Sequence, residues 1–293
     1  MKATVQFQQR WLPYGLVAPQ LVITLVFFFW PAWQAIVQSF YRVSAFGDSR
    51  QFVGWHNYVR LWADPLYLEA LSTTLWLSVW VVGLGLTVAL LLALAADHVL
   101  KGARLYQTLL ILPYAVAPAI VGVLWAFMFA PDLGVVAVWL KQLGFAWQPK
   151  LDPQHAMTVL VGASVWKQVS YNFLFFLAGL QAIPKSLLEA ATLDGAAPWR
   201  RFKDVVWPLL APTTFFLVVM NVVYAFFDTF ALIDTMTQGG PGTSTSTLVY
   251  GVYKSAFQSH DYGASGAQSV VLMVLVVTLT LLQFKYIEKK IHY

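Results

Sequence analysis

Residues 184–204 read PKSLLEAATLDGAAPWRRFKD and lie between two long apolar runs. Only 11% of the chain is charged, yet this short segment holds an unusual share of the ionic groups: Lys185, Glu189, Asp194, Arg200, Arg201, Lys203 and Asp204. A charge-poor chain that concentrates acids and bases in one loop presents a surface suited to another protein. We therefore interpret residues 184–204 as a docking loop.

Local signals predict that this loop forms two short helices. Pro184 suits a first helical position, and apolar residues follow it at helical spacing. Gly195 tolerates the left-handed conformation that ends a helix, and Pro198 suits the start of the next one. The pattern predicts a bent helix-turn-helix with Glu189 and Asp194 exposed near the bend.

The composition identifies a membrane protein. Of 293 residues, 59% are hydrophobic, and the charged share is well below the roughly 25% of soluble domains. The chain has no cysteine, which excludes disulfides and thiolate metal sites. Its 5 histidines are widely separated, so we expect no metal and no cofactor. The net charge of +5 does not indicate nucleic-acid binding, because the basic residues flank apolar runs.

Six apolar windows are long enough to cross a bilayer. A helix needs about 20 residues to span ~30 Å of hydrocarbon, and these runs are continuous rather than alternating like barrel strands. The first window is roughly twice as long as a signal-peptide core of about 7–15 residues, so we count it as a span. We predict an all-α, six-span fold in one domain over residues 1–293, with spans at about 12–36, 71–95, 106–130, 157–181, 206–228 and 264–284.

Lysine and arginine counts predict the orientation, since cytoplasmic loops carry the excess. With the N-terminus inside, the inner segments hold Lys2, Arg10, Lys101, Arg104, Lys185, Arg200, Arg201, Lys203, Lys285, Lys289 and Lys290. The outer segments are longer but hold only Arg42, Arg50, Arg60, Lys141, Lys150 and Lys254. Both termini and the 184–204 loop should therefore face the cytoplasm.

The loop also carries a recognisable motif. Glu189-Ala190-Ala191, then Gly195, then the run 205–208 (VVWP) resembles the coupling-loop signature of permease subunits of bacterial ATP-binding-cassette importers. That signature has Ile and Leu where this chain has Val205 and Trp207, and both replacements remain apolar. The resemblance implies a type I importer permease fold and a loop that inserts into an ATPase, with coupling residues Glu189, Ala190, Ala191, Asp194 and Gly195.

Further motifs narrow the resemblance to the sugar and polyol branch of these importers. Residues 166–172 (WKQVSYN) and 177–184 (LAGLQAIP) look like the span that leads into the coupling loop in that branch. Residues 10–21, 164–176 and 221–230 are similar to permeases of glycerol-3-phosphate importers. We therefore expect translocation of sn-glycerol-3-phosphate across the bacterial inner membrane; the alternative within the branch is a neutral sugar or polyol.

The resemblance also implies partners and a mechanism. We expect a heterodimer with a second related permease, a dimer of a separate ATPase subunit, and a periplasmic solute-binding protein, working by alternating access. The chain itself would not be an enzyme. From another class, an ion-coupled secondary transporter should show internal repeats and titratable groups at mid-membrane. The spans hold no evident repeat, and Lys167 is the only formal charge well inside one of them.

Lys167 is the first candidate for the substrate path. A charge at mid-membrane costs several kcal/mol unless it is paired or hydrated. An ammonium there could attract a phosphate as a point charge. The alternative is a structural lysine that reaches the outer interface or a neighbouring carbonyl group.

Polar residues of the fourth and fifth spans are further candidates. Asn221, Tyr224 and Asp228 are spaced to share one helix face, and Tyr171 and Asn172 occupy the fourth span. Polar stripes in membrane helices face protein or water, so these side chains line either the substrate path or a helix–helix contact. For Asp228 we expect a gating or structural role, because a carboxylate would repel an anionic substrate.

Overall fold

A computed structural model describes residues 11–43, 49–97 and 103–286. Within these ranges the regular secondary structure is helical apart from two antiparallel strands, β1 (Tyr41–Val43) and β2 (Arg50–Phe52). The α-helices in chain order are α1 (Leu12–Thr24), α2 (Trp30–Gln38), α3 (His56–Ala63), α4 (Pro65–Asp97), α5 (Ala103–Ala115), α6 (Pro118–Met128), α7 (Val135–Gln142), α8 (Pro153–Gln181), α9 (Lys185–Leu193), α10 (Pro198–Arg201), α11 (Trp207–Val223), α12 (Phe230–Met236), α13 (Leu248–Tyr253) and α14 (Tyr262–Tyr286).

Wider π-helical turns interrupt or join these helices at Leu25–Phe29, Phe202–Val206, Tyr224–Asp228 and Lys254–Gln258. Four of the described helical stretches have the length and hydropathy of a span, namely Leu12–Gln38, Pro65–Asp97, Pro198–Asp228 and Tyr262–Lys285. Two bent helix pairs, α5 with α6 and α8 with α9, bring the number to 6 if each pair is one span. The all-α, polytopic membrane fold expected from the sequence is confirmed.

The third predicted span, residues 106–130, is broken. Helices α5 and α6 meet at 100°. Pro118 opens α6 and has no backbone N–H, so the Tyr114 carbonyl loses the donor that a helix would supply four residues later. The sequence contains the proline that causes this break, but the prediction treated the region as one uninterrupted span.

The described chain divides into two compact units, of which the first comprises residues up to Ala63 and Val252–Val271. Its first helical stretch, α1 to α2, has no buried residue in α1. The end of α2 lies close to the small residues of α14: a Cβ on Gly266 would lie 2.8 Å from the Ala35 carbonyl oxygen. Such small residues let two helix backbones approach each other.

The second unit comprises Asp64–Gly251 and the chain from Leu272 onward. Helix α8 is its centre and packs against α4, α5 and α11. Small residues of α4 face large apolar residues of α8 and α11, in a buried cluster that includes Ala89, Ala93, Ala96, Phe173, Phe176, Leu177, Leu180, Leu210 and Leu217. Alanines on one helix let the phenylalanines of the next pack closely, and such packing holds helices together where lipid removes the hydrophobic driving force.

Helices α6 and α12 pack through a glycine in this second unit. A Cβ added at Gly122 would collide with Oγ1 of Thr235 and would lie 3.3 Å from Cγ of Met236. Gly83 of α4 offers a matched position, since an added Cβ there meets no atom within 4 Å.

We predict that Gly122→Val destabilises the protein and that Gly83→Val does not. The valine at position 122 overpacks the α6–α12 contact, at a cost of about 1–3 kcal/mol. Thermal unfolding of the purified protein in mild detergent, followed by tryptophan fluorescence, measures the effect. Equal melting temperatures for the two variants would contradict the close packing at Gly122.

Candidate functional site

The 184–204 loop forms two helices, as predicted. Helix α9 is bent by 67° from α8, and α10 begins at Pro198. Gly195 lies between them with a φ of +73°, the left-handed conformation expected from the sequence. An added Cβ at Gly195 meets no atom within 4 Å, so the backbone conformation, and not crowding, favours glycine there.

The bend is held by polar contacts. The Gly195 N–H donates to the Thr192 carbonyl at 3.0 Å, and Nη1 of Arg201 donates to Oγ1 of Thr192 at 2.8 Å. Arg200 and Asp204 form an exposed ion pair at 3.4 Å, a type that contributes little to stability. In the sequence analysis, Arg201 counted only as one of the basic residues that set the membrane orientation. The structure shows that it also links α10 to α9.

The tip of the loop combines acidic and apolar groups. Glu189 and Asp194 are exposed, as expected. Leu193 and Trp199 are 89% and 72% exposed, so the acidic groups lie beside large apolar side chains that face away from the protein. Exposed apolar groups rimmed by charge are typical of protein contact surfaces. The sequence-based prediction missed these two residues, although each adjoins the predicted bend.

A second feature is a cavity of about 450 Å³ in the second unit. It lies where the α5–α6 break, the middle of α8 and the π-helical turn after α11 meet. Its walls are formed by Tyr114, Pro118, Lys167, Gln168, Tyr171, Met220, Tyr224, Phe227, Asp228, Phe230 and Ala231. Three predicted path residues (Lys167, Tyr171 and Tyr224) and Asp228 therefore share one cavity.

Lys167 binds backbone carbonyl groups at the break between α5 and α6. Its Nζ donates to the Val116 carbonyl at 2.7 Å and to the Tyr114 carbonyl at 3.4 Å, and it lies 5.8 Å from the centre of the Tyr114 ring. Carbonyl groups at a helix C-terminus favour a cation, and the ring face adds to that attraction. The structural alternative for Lys167 is thus supported, while the same ammonium group also lines the cavity.

Aromatic and polar groups complete the cavity wall. The rings of Tyr114 and Tyr171 lie 5.8 Å apart. Tyr224 and Asp228 share the wall because they lie four residues apart, close to one helical turn. The Tyr224 hydroxyl is buried beside the hydroxyl of Ser164. Gln168, a residue that the prediction did not select, is also buried on this wall.

Asn172 and Asn221 lie elsewhere, in the core between α8 and α11. Both are fully buried, and each side-chain amide donates to the other's carbonyl oxygen, at 3.1 and 2.7 Å. The Asn221 amide also donates to the Leu217 carbonyl at 2.7 Å. Neither residue lines the cavity. This geometry favours the helix-packing alternative over a direct substrate contact for these two.

The described chain thus combines candidate membrane spans, a cavity at a broken helix and a bent polar loop, as expected for the membrane subunit of a transporter. Residues 85–293 match the family described as binding-protein-dependent transport system inner membrane component, and the chain belongs to that family. The resemblance to importer permease subunits is therefore confirmed.

Relatives cover the whole chain. It is 54% identical over 290 residues to the sn-glycerol-3-phosphate transport system permease protein UgpA of Agrobacterium fabrum, and the match covers 99% of each. It is 55% identical over 289 residues to the protein of the same name from Brucella suis, again with 99% of each covered.

Solved structures show the fold. A bacterial ABC transporter involved in the import of the acidic polysaccharide alginate matches with a TM-score of 0.82 at 24% identity, over 95% of this chain and 96% of that one. The alginate transporter in complex with its alginate-bound periplasmic protein matches with a TM-score of 0.80 at 23% identity, over 93% and 92%. Both support the type I importer permease fold.

We predict that the Asn172–Asn221 pair stabilises helix packing. Asn172→Leu should lower the melting temperature, because it leaves the Asn221 amide buried with a partner lost, at a cost of about 1–3 kcal/mol. Asn221→Leu should do the same, and the double variant should recover part of the loss. Thermal unfolding in detergent gives the coupling energy. Strictly additive single effects would contradict the pairing, and a changed substrate affinity in a stably folded variant would place the amides in the path.

Proposed function

We propose that this chain is the permease subunit of an ATP-driven importer that translocates sn-glycerol-3-phosphate across the bacterial inner membrane. One observation supports this substrate. Permeases named for sn-glycerol-3-phosphate transport in several bacteria align with almost the whole chain, and about half of the aligned residues are identical. The lining of the cavity is consistent with this substrate, since polar and aromatic groups together with one cation suit a phosphorylated polyol.

Lys167 supplies that cation. An ammonium group has three N–H donors, and the Val116 and Tyr114 carbonyls engage two of them. The remaining donor is available to an anion in the cavity, where phosphate would gain a charge-assisted hydrogen bond. The Tyr171 ring, which packs on Tyr114, forms an adjoining wall.

The coupling loop lies at the end of the helices that form the cavity. Helix α8 carries Lys167 and Tyr171 and ends at Gln181, about 15 Å of helix beyond Tyr171. From the loop's other side, a continuous helical stretch from Pro198 reaches Asp228 at the cavity wall. Two helical stretches therefore connect the loop to the cavity and can transmit a displacement of the loop. Alternating access requires such a mechanical connection.

We propose three kinds of partner for this chain. A separate ATPase dimer binds Glu189, Asp194 and the exposed apolar tip of the loop, with Ala190, Ala191 and Gly195 giving the tip its shape. A second related permease forms the other half of the pathway, and a periplasmic binding protein delivers substrate. Both termini and the loop face the cytoplasm, in accord with the lysine and arginine distribution.

We predict that Gly195→Asp abolishes transport and leaves membrane insertion intact. The aspartate must either adopt the left-handed backbone or straighten the bend, which displaces the docking surface. Gly144→Asp is the matched control: Gly144 has a φ of +88°, also with open space around it, but lies outside the loop. ATP-dependent uptake by reconstituted vesicles and the amount of co-purified ATPase are the measurements. Wild-type uptake by Gly195→Asp, or an equal loss in the control, would refute coupling through this bend.

We predict that Lys167→Met weakens the apparent affinity for glycerol 3-phosphate at least about tenfold, because the phosphate loses its cation. Lys167→Arg should retain much of the affinity, since a guanidinium also donates to carbonyls and phosphate. Concentration-dependent uptake into vesicles separates KM from maximal rate. If Lys167→Met lowers only the maximal rate or the protein yield, the lysine acts solely on the helix break, and a neutral polyol becomes the better substrate assignment.

A further inference from the structure

The cavity contains opposite charges that do not meet. The ammonium of Lys167 and the carboxylate of Asp228 both line it, yet the ion pairs found among the described residues do not include either group. The cause lies in the backbone: Lys167 is bound to the Val116 carbonyl, whereas Asp228 ends the π-helical turn after α11. The cavity is therefore polarised, with a cationic wall and an anionic wall.

The cavity also carries polar groups without a protein partner. Within the described part of the chain, neither the Asp228 carboxylate nor the side chain of Gln168 takes part in a hydrogen bond to protein. Gln168 is only 7% exposed and follows Lys167 on α8, whereas the exposed Asp228 ends the π-helical turn after α11. Two such groups on the lining of one cavity are available to a polar ligand or to the water that a ligand replaces.

We infer that Gln168 and Asp228 bind the hydroxyl groups of the substrate while Lys167 faces its phosphate. The inference rests on the proposed function and deepens it. A carboxylate has only acceptors, and a vicinal diol supplies two O–H donors, so Asp228 accepts from the diol in charge-assisted bonds. The Gln168 amide can donate to and accept from the same hydroxyl groups.

The two walls then fix the orientation of the substrate. Asp228 repels the phosphate and Lys167 attracts it, so a phosphorylated diol fits in one direction only. The carboxylate thereby acquires a role different from the gating or structural one expected from the sequence. It discriminates a phosphate ester that carries a diol from one that lacks it, because the latter displaces water from the Asp228 carboxylate and offers it fewer O–H donors in return.

The test compares glycerol 3-phosphate with 3-hydroxypropyl phosphate, which lacks the middle hydroxyl group. The purified transporter complex, without binding protein, is titrated calorimetrically with each compound, and vesicle uptake of glycerol 3-phosphate is measured in parallel with binding protein present. We expect the wild type to prefer glycerol 3-phosphate about tenfold or more. Asp228→Asn and Gln168→Met should each reduce that preference to less than about threefold, mainly by weakening the binding of glycerol 3-phosphate.

Asp234→Asn is the matched control, because Asp234 lies on the neighbouring helix α12 and is not part of the cavity wall; it should keep the wild-type preference. Uptake by the wild type together with an unchanged preference in Asp228→Asn and Gln168→Met would overturn this inference and leave the proposed function standing. A wild-type complex that imports no glycerol 3-phosphate would overturn both.

Discussion

The bond between the Lys167 ammonium and the Val116 carbonyl, 2.7 Å long, is the interaction on which the site depends. Pro118 removes a backbone donor and breaks the third span, and the freed carbonyl groups face α8. Backbone acceptors in a membrane interior must be satisfied within the protein. A buried lysine meets that need, and the negative end of α5 offsets part of the cost of burying its charge. The lysine satisfies the carbonyl groups that the break exposes, and those carbonyl groups offset the cost of burying the lysine. Together they form one wall of the cavity.

The rest of the second unit keeps that wall in place. The alanine face of α4 against the phenylalanines of α8, and the reciprocal amide pair of Asn172 and Asn221, hold α4, α8 and α11 in fixed register. Rigidity matters because α8 runs from the cavity to the coupling loop, and α11 runs back. A soft contact between these helices would absorb a displacement of the loop before it reached Lys167 or Asp228.

Much of this was predictable from sequence. Continuous apolar runs predicted an all-α membrane protein, since length and charge decide what fits a bilayer. Local helix signals predicted the two helices of the loop and the left-handed Gly195. Three features were not predictable in the same way: the break between α5 and α6, the binding of Lys167 to its carbonyl groups, and the different neighbours of the polar residues on the fifth span. Asn221 and Tyr224 share a face by spacing, yet the Asn221 amide pairs with Asn172 of α8 whereas Tyr224 lines the cavity. Which neighbour each side chain meets depends on tertiary packing.

The break in the third span also explains how groups of opposite charge coexist in so small a space. Lys167 of α8 is drawn toward the carbonyl groups of Val116 and Tyr114 at that break, and Gln168 follows it on the same helix. Tyr224 and Asp228 lie four residues apart in the turn after α11, and that spacing leaves both on one face of the helical stretch. Charge separation in the cavity thus originates in the break, because the freed carbonyl groups give the Lys167 ammonium partners other than Asp228.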